Sequence, residues 1–141
     1  MSKHFRRLRP ACRKVLFLLC AILGASQMMR GAGLSADDQQ FLSAYVHVHD
    51  ALIAKDLPGV IVAAKTMPDN IGAGLAKAAS LGAARDEFSR LTPRAEKLAA
   101  GQPGYHVFYC PMAQKDWVQT SPAVANPYLG EDMLTCGVEK H

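Results

Sequence analysis

The chain has 141 residues and carries 16 Lys and Arg against 12 Asp and Glu, a formal net charge of +4. The 105 residues left if the first 36 are removed as a leader provide for one domain with one core but not for two. The basic excess sits at the start: Lys3, Arg6, Arg7, Arg9, Arg13, Lys14 and Arg30 precede the first acidic residue, Asp37.

Behind the first of these charges lies an apolar run from Val15 to Leu23, ending at Gly24. A basic start followed by a core too short to span a bilayer reads as a secretory signal peptide. Arg6-Arg7 suggests a twin-arginine signal only in part, and Phe17-Leu18-Leu19 before Cys20 lacks the small residues that lipoprotein processing needs. Ser26, Gly33 and Ala36 all offer a small residue for cleavage. Ala36 is preferred, because Asp37-Asp38 then opens a soluble segment. This divides the chain into a signal peptide, 1–36, and a single exported domain, 37–141, expected in the periplasm without a membrane anchor. Removing seven of the sixteen basic residues leaves nine against twelve acidic ones, a net of −3. Nucleic acid is therefore excluded as a partner, and so are anionic membrane surfaces.

From Asp37 to Lys55 the apolar residues Phe41, Tyr45, Val48 and Leu52 recur at helical spacing, with an acidic first turn. His47 and His49 point in different directions on such a helix and read as surface or half-buried residues, not as a ligand pair. Asp56-Leu57-Pro58-Gly59 ends this helix and caps a short one from Val60 to Met67. After Pro68-Asp69-Asn70, a third helix rich in small residues is expected over Ile71 to Ser80. The next segment, Ala83 to Ala100, is amphipathic, with Phe88, Leu91, Ala95 and Leu98 on one face. Pro93 lies inside it and predicts a kink or break near Thr92. Gly101-Gln102-Pro103-Gly104 stops the helix. Four or so antiparallel helices with short loops make an all-α fold, a small helical bundle with an irregular C-terminal segment across it.

That segment starts with a β-prone stretch, Tyr105 to Tyr109, whose alternation places His106, Phe108 and Cys110 on one side. Asn126 to Gly130 forms a turn that sends the chain back toward Cys110. Outside the leader the cysteines are Cys110 and Cys136, with Met112 two residues after the first and Met133 three before the second. A pair at i, i+2 on an extended segment, or at i, i+3 on a helical turn, points to one side. Thiolate with thioether is a soft ligand set, suited to Cu(I) or Ag(I). Cys110, Met112, Met133 and Cys136 are thus the expected metal ligands, with His106 in reserve and Trp117 and Tyr128 as shields or plain packing.

The tail motifs Cys110-Pro111-Met112-Ala113, Trp117, Asn126-Pro127-Tyr128-Leu129-Gly130, Met133-Leu134 and Cys136-Gly137 resemble the signature of a small bacterial periplasmic domain family of unknown function. That family also occurs at the C-terminal end of membrane-fusion subunits of Cus-type copper and silver efflux pumps. The likeness covers the last third of the chain closely and the helices loosely, at Tyr45, Ala51, Leu52 and Phe88. The connection between Met112 and Trp117 is shorter here than in many such domains. The resemblance implies an exported helical domain in heavy-metal handling, with an efflux-pump component as a partner.

Two other readings of the tail stand beside metal binding. A Cys110 to Cys136 disulfide would close a loop of 26 positions and stabilise the fold by roughly 3.5 kcal/mol in the chain-entropy model. The domain would then be a stapled interaction module docking on an efflux or envelope partner without metal. Disulfide and metal exclude each other at one moment but can alternate. Catalysis is not expected: Cys110 and His106 lack a third orienting group, oxyanion donors and any cofactor fingerprint.

Overall fold

The computed structural model describes residues 33–141. The expected export signal lies outside the described residues, apart from its last few positions. Helix α1 (Ala36–Ile53) begins where the Ser35 side chain accepts the Asp38 amide at 3.1 Å. Its stripe of Phe41, Tyr45, Val48 and Leu52 is buried, His49 with it, while His47 is exposed. Helix α2 (Leu57–Lys65) is capped by Asp56, whose carboxylate accepts the Gly59 amide at 3.0 Å.

The third expected helix is shorter than its small-residue run suggested. Only Ala73–Ala76 (α3) is α-helical, after a 3-10 turn over Pro68–Asn70. Gly72 and Gly74 weaken the helix propensity of this run, and Gly72 is fixed by packing: a Cβ there would lie 2.2 Å from the Ala64 carbonyl oxygen. The chain accordingly turns around α2.

Helix α4 (Leu81–Ala99) is capped by Ser80 and runs through Pro93 as one helix, so of the two expected outcomes, a kink near Thr92 or two helices meeting there, the second is not found. Proline removes one hydrogen bond and crowds the preceding turn. Here the residues on both sides are held by burial: Ala84, Phe88, Thr92, Ala95 and Ala99 form one buried stripe. Phe88 stacks on Tyr45 with ring centroids 4.3 Å apart, and the Thr92 hydroxyl lies 2.8 Å from that of Tyr45. Packing against α1 outweighs the local preference.

The all-α fold is overturned by the tail. Strands β1 (His106–Cys110), β2 (Lys115–Gln119) and β3 (Val138–Glu139) form an antiparallel sheet in the order β2-β1-β3, so the fold is α+β. A hairpin loop, Pro111 to Gln114, joins β1 to β2, with Cys110 opposite Lys115 and the Gln114 amide bonded to the Cys110 carbonyl at 2.8 Å. β2 lies against α4, and Phe108, Trp117 and Val118 enter the common core. No described helix is long and apolar enough to cross a membrane.

Candidate metal centre

Cys110 ends β1 on its inner face and is fully buried. Cys136 arrives from the far end of the tail, and its placement depends on Asn126. This asparagine is itself fully buried: its Oδ1 accepts the amides of Tyr128 and Leu129, and its Nδ2 donates to the Cys136 carbonyl at 2.6 Å. Its own amide bonds the Leu134 carbonyl at 2.7 Å. The turn that reverses the chain is therefore tied directly to the residue it returns. Gly137 completes the fit, because a Cβ there would stand 2.5 Å from the Trp117 ring. Only a glycine lets the backbone after Cys136 lie on that indole.

These constraints bring the two sulfurs to 3.4 Å, with both cysteines free. A disulfide would need them about 1.3 Å closer. Two thiolates on one metal, with metal–sulfur bonds of about 2.3 Å and a tetrahedral angle, lie about 3.8 Å apart. The observed spacing requires only a slight opening for the second arrangement.

The two thiols are not equivalent. Burial pushes the Cys110 thiol up, but it is outweighed by hydrogen bonds from the Ala113 amide, at 3.3 Å, the Cys136 thiol, the Asn126 side chain and the Met112 amide. Its ordinary value is lowered as a result. Cys136 is raised, first because its proton is held in the hydrogen bond to Cys110 and then by burial. The favoured singly ionised state is a Cys110 thiolate receiving the Cys136 proton, a form ready to bind a cation.

The methionines take different positions. Met133 ends a 3-10 turn (Glu131–Met133), and its carbonyl accepts the Cys136 amide at 3.0 Å, so both residues belong to one hydrogen-bonded turn. Met112 is not on an extended segment as expected but on the hairpin loop, where it is 64% exposed. His106 is four residues from Cys110 along β1, roughly 13 Å of strand, and its Nδ1 lies 2.7 Å from a Glu139 carboxylate oxygen. It is not brought to the sulfurs. Among the described residues no three His, Cys, Asp or Glu side chains gather as a metal cluster.

Trp117 and Tyr128 do lie beside this region, both with structural work of their own. The Trp117 indole is fully buried and donates to Gln119 Oε1 at 2.7 Å, and Tyr128 donates to the Asp116 carbonyl at 2.8 Å. Sequence reasoning passed over Gln119 and the structural role of Asn126. A glutamine in a charged-looking stretch, Lys-Asp-Trp-Val-Gln, gives little sign that it is buried with both ends of its amide satisfied, by Trp117 and Ala125 on one side and the Ser121 and Ala123 carbonyls on the other. No family model, curated protein or solved structure matches the chain.

Proposed function

We propose that this chain is an exported protein that binds a soft cation, Cu(I) or Ag(I), in periplasmic heavy-metal handling or efflux. Cys110 and Cys136 are the thiolate ligands, Met133 a thioether from the adjoining turn, and Met112 an exposed thioether on the hairpin loop. The observation that carries this reading is the 3.4 Å approach of two sulfurs with amide donors aimed at one of them. A soft, singly charged ion suits a sulfur-only ligand set, whereas Mg or Ca calls for oxygen ligands. The likeness of the tail motifs to domains of copper and silver efflux subunits supports the same conclusion, with a periplasmic pump component as the partner for delivery.

The test is Cu(I) titration of the reduced protein against a competing chelator. One equivalent should bind tightly, Cys110→Ser and Cys136→Ser should each abolish tight binding, and Met112→Leu with Met133→Leu should weaken it without unfolding the chain. Unchanged affinity in the double cysteine variant would sink the proposal.

The same sulfur contact also favours a second reading, a disulfide-stapled interaction module whose docking on an envelope partner needs no metal. Capture of the efflux partner by the oxidised, metal-free chain at least as well as by the reduced, copper-loaded chain would support it.

A further inference from the structure

The spacing of the two sulfurs limits which soft ion they can share. With metal–sulfur bonds of about 2.3 Å, two thiolates on opposite sides of a linearly coordinated ion stand about 4.6 Å apart, and two of three ligands in a plane about 4.0 Å. The sulfurs of Cys110 and Cys136 are 3.4 Å apart. A bent arrangement asks them to part by about 0.6 Å, and a linear one by about 1.2 Å.

Both residues are anchored against the larger movement. Cys110 closes β1, its carbonyl accepts the Gln114 amide at 2.8 Å, and its sulfur accepts the Ala113 amide at 3.3 Å. It is fully buried, and a close-packed interior leaves its sulfur no room to withdraw. The backbone of Cys136 is fixed by its amide on the Met133 carbonyl and its carbonyl on Asn126 Nδ2. The next residue, Gly137, lies so close to Trp117 that a Cβ would stand 2.5 Å from the ring. The whole of a linear opening would therefore fall on rotation of the Cys136 side chain.

A bent pair leaves its ion short of a ligand, and the local structure offers one. The Cys136 amide bonds the Met133 carbonyl, three residues back, at 3.0 Å, just as the Met133 amide bonds the Gly130 carbonyl at 2.9 Å. These are 3-10 hydrogen bonds, and in that geometry side chains three apart lie one over the other. Met133 and Cys136 thus leave the turn on the same side. Among the described residues no third His, Cys, Asp or Glu joins the two cysteines, so the four-ligand set that Zn(II) prefers is not assembled.

We propose that Cys110, Cys136 and Met133 form a bent, three-coordinate sulfur centre that takes Cu(I) in preference to Ag(I) and Hg(II). This rests on the soft-cation reading above and narrows it to one ion. Cu(I) accepts three sulfur ligands in a plane, whereas Ag(I) and Hg(II) bind thiolates most strongly in line. Either of those two must push the sulfurs apart against the fold or accept an unfavourable angle.

The experiment has two parts. X-ray absorption on the reduced chain with one equivalent of Cu(I) should show three sulfur neighbours at about 2.3 Å, and Met133→Leu should leave two. Two sulfurs at a shorter distance in the wild type, or a shell unchanged by Met133→Leu, would overturn the proposal. Selectivity is read by competition with glutathione for Cu(I) and for Ag(I), on the folded chain and on the same chain unfolded in urea, where no spacing is imposed on the thiols. Folding should raise the preference for Cu(I) over Ag(I) several-fold. An equal preference in the two states would overturn the proposal as well. Absence of Cu(I) from the cysteines would sink the soft-cation reading and this one together, whereas a linear two-sulfur shell on those same cysteines would sink this one alone.

Discussion

Cys110 illustrates how a single residue resolves opposing effects. An apolar setting disfavours a thiolate, yet two amides of the hairpin loop, the neighbouring thiol and Asn126 all favour one, and the result is a lowered pKa beside a raised one at Cys136. For the pair the signs are these. A depressed Cys110 contributes stability above its unfolded value that is lost as pH falls through the folded value, and a raised Cys136 costs stability as pH rises above its unfolded value. Thiolate absorbance of the reduced protein should therefore rise in two separated steps on either side of the ordinary thiol range. In Cys136→Ser the low step should move up, and in Cys110→Ser the remaining step should move down; a single step unaffected by either substitution would contradict the hydrogen-bonded pair. A second residue-scale expectation concerns processing. Ser35 caps α1 and Leu34 packs on the core, so cleavage after Ala36 would remove both, whereas cleavage after Gly33 would keep them. Loss of the cap by Ser35→Ala should cost about 1 kcal/mol in urea unfolding of a chain that begins at Leu34. An unchanged midpoint would show that the cap is idle.

At the scale of elements, the tail segment from Asn126 to Gly137 is held more by specific polar and steric fits than by its own apolar content. Asn126→Ala would leave the amides of Tyr128 and Leu129 and the Cys136 carbonyl without their partner, at roughly 2–4 kcal/mol for several buried groups together. Gly137→Ala would drive a methyl into the Trp117 ring, costing roughly 1–3 kcal/mol by overpacking. Both should also reduce the rate at which the reduced cysteines form their disulfide, and unimpaired oxidation in both variants would show that the sulfurs meet without this fastening. The helices were legible because local patterns specify them: a periodic stripe in α1, and Asp56 before Pro58 at α2. The sheet was not. β1 shows alternation, but β2 begins with Lys and Asp, and β3 is two residues long and exists through its pairing with Tyr109 and Phe108. Pairing across some thirty residues is invisible to a window of ten. At Pro93 contacts of Phe88 and Thr92 with Tyr45 hold together one helix where two could have met. The meeting of Cys110 and Cys136 could be read from the Asn-Pro turn between them, whereas the outward position of Met112 depended on the hairpin and could not.

Across the whole molecule the helical layer holds the tail at several separate points. His49 Nε2 donates to the Ala125 carbonyl at 2.9 Å, Arg85 to the Pro127 carbonyl at 2.8 Å, and Lys55 meets Glu131 at 2.7 Å. Lys140 reaches both Glu96 and Asp116, at 2.9 and 3.0 Å. Glu131 is lowered by its hydrogen bond from Lys55, and Asp38 first by Ser35 and then by Arg94. Depressed carboxylates add stability above their unfolded values and lose it as pH falls through the folded ones, so acid should weaken the Lys55–Glu131 attachment of the tail and the Asp38–Arg94 pair between α1 and α4 below the ordinary carboxylate range. Closing the Cys110–Cys136 loop should raise unfolding stability by roughly 3.5 kcal/mol relative to the reduced chain, seen as a shift of the urea midpoint on adding reductant. No shift would mean that the contact is not a staple in solution. Whether these sulfurs receive a soft cation, as proposed, is read by X-ray absorption at the copper edge on reduced protein loaded with one equivalent of Cu(I). The account predicts a first shell of sulfur neighbours that disappears when Cys110 and Cys136 are both replaced by serine. A shell of nitrogen or oxygen, or one that survives that double replacement unchanged, would contradict it.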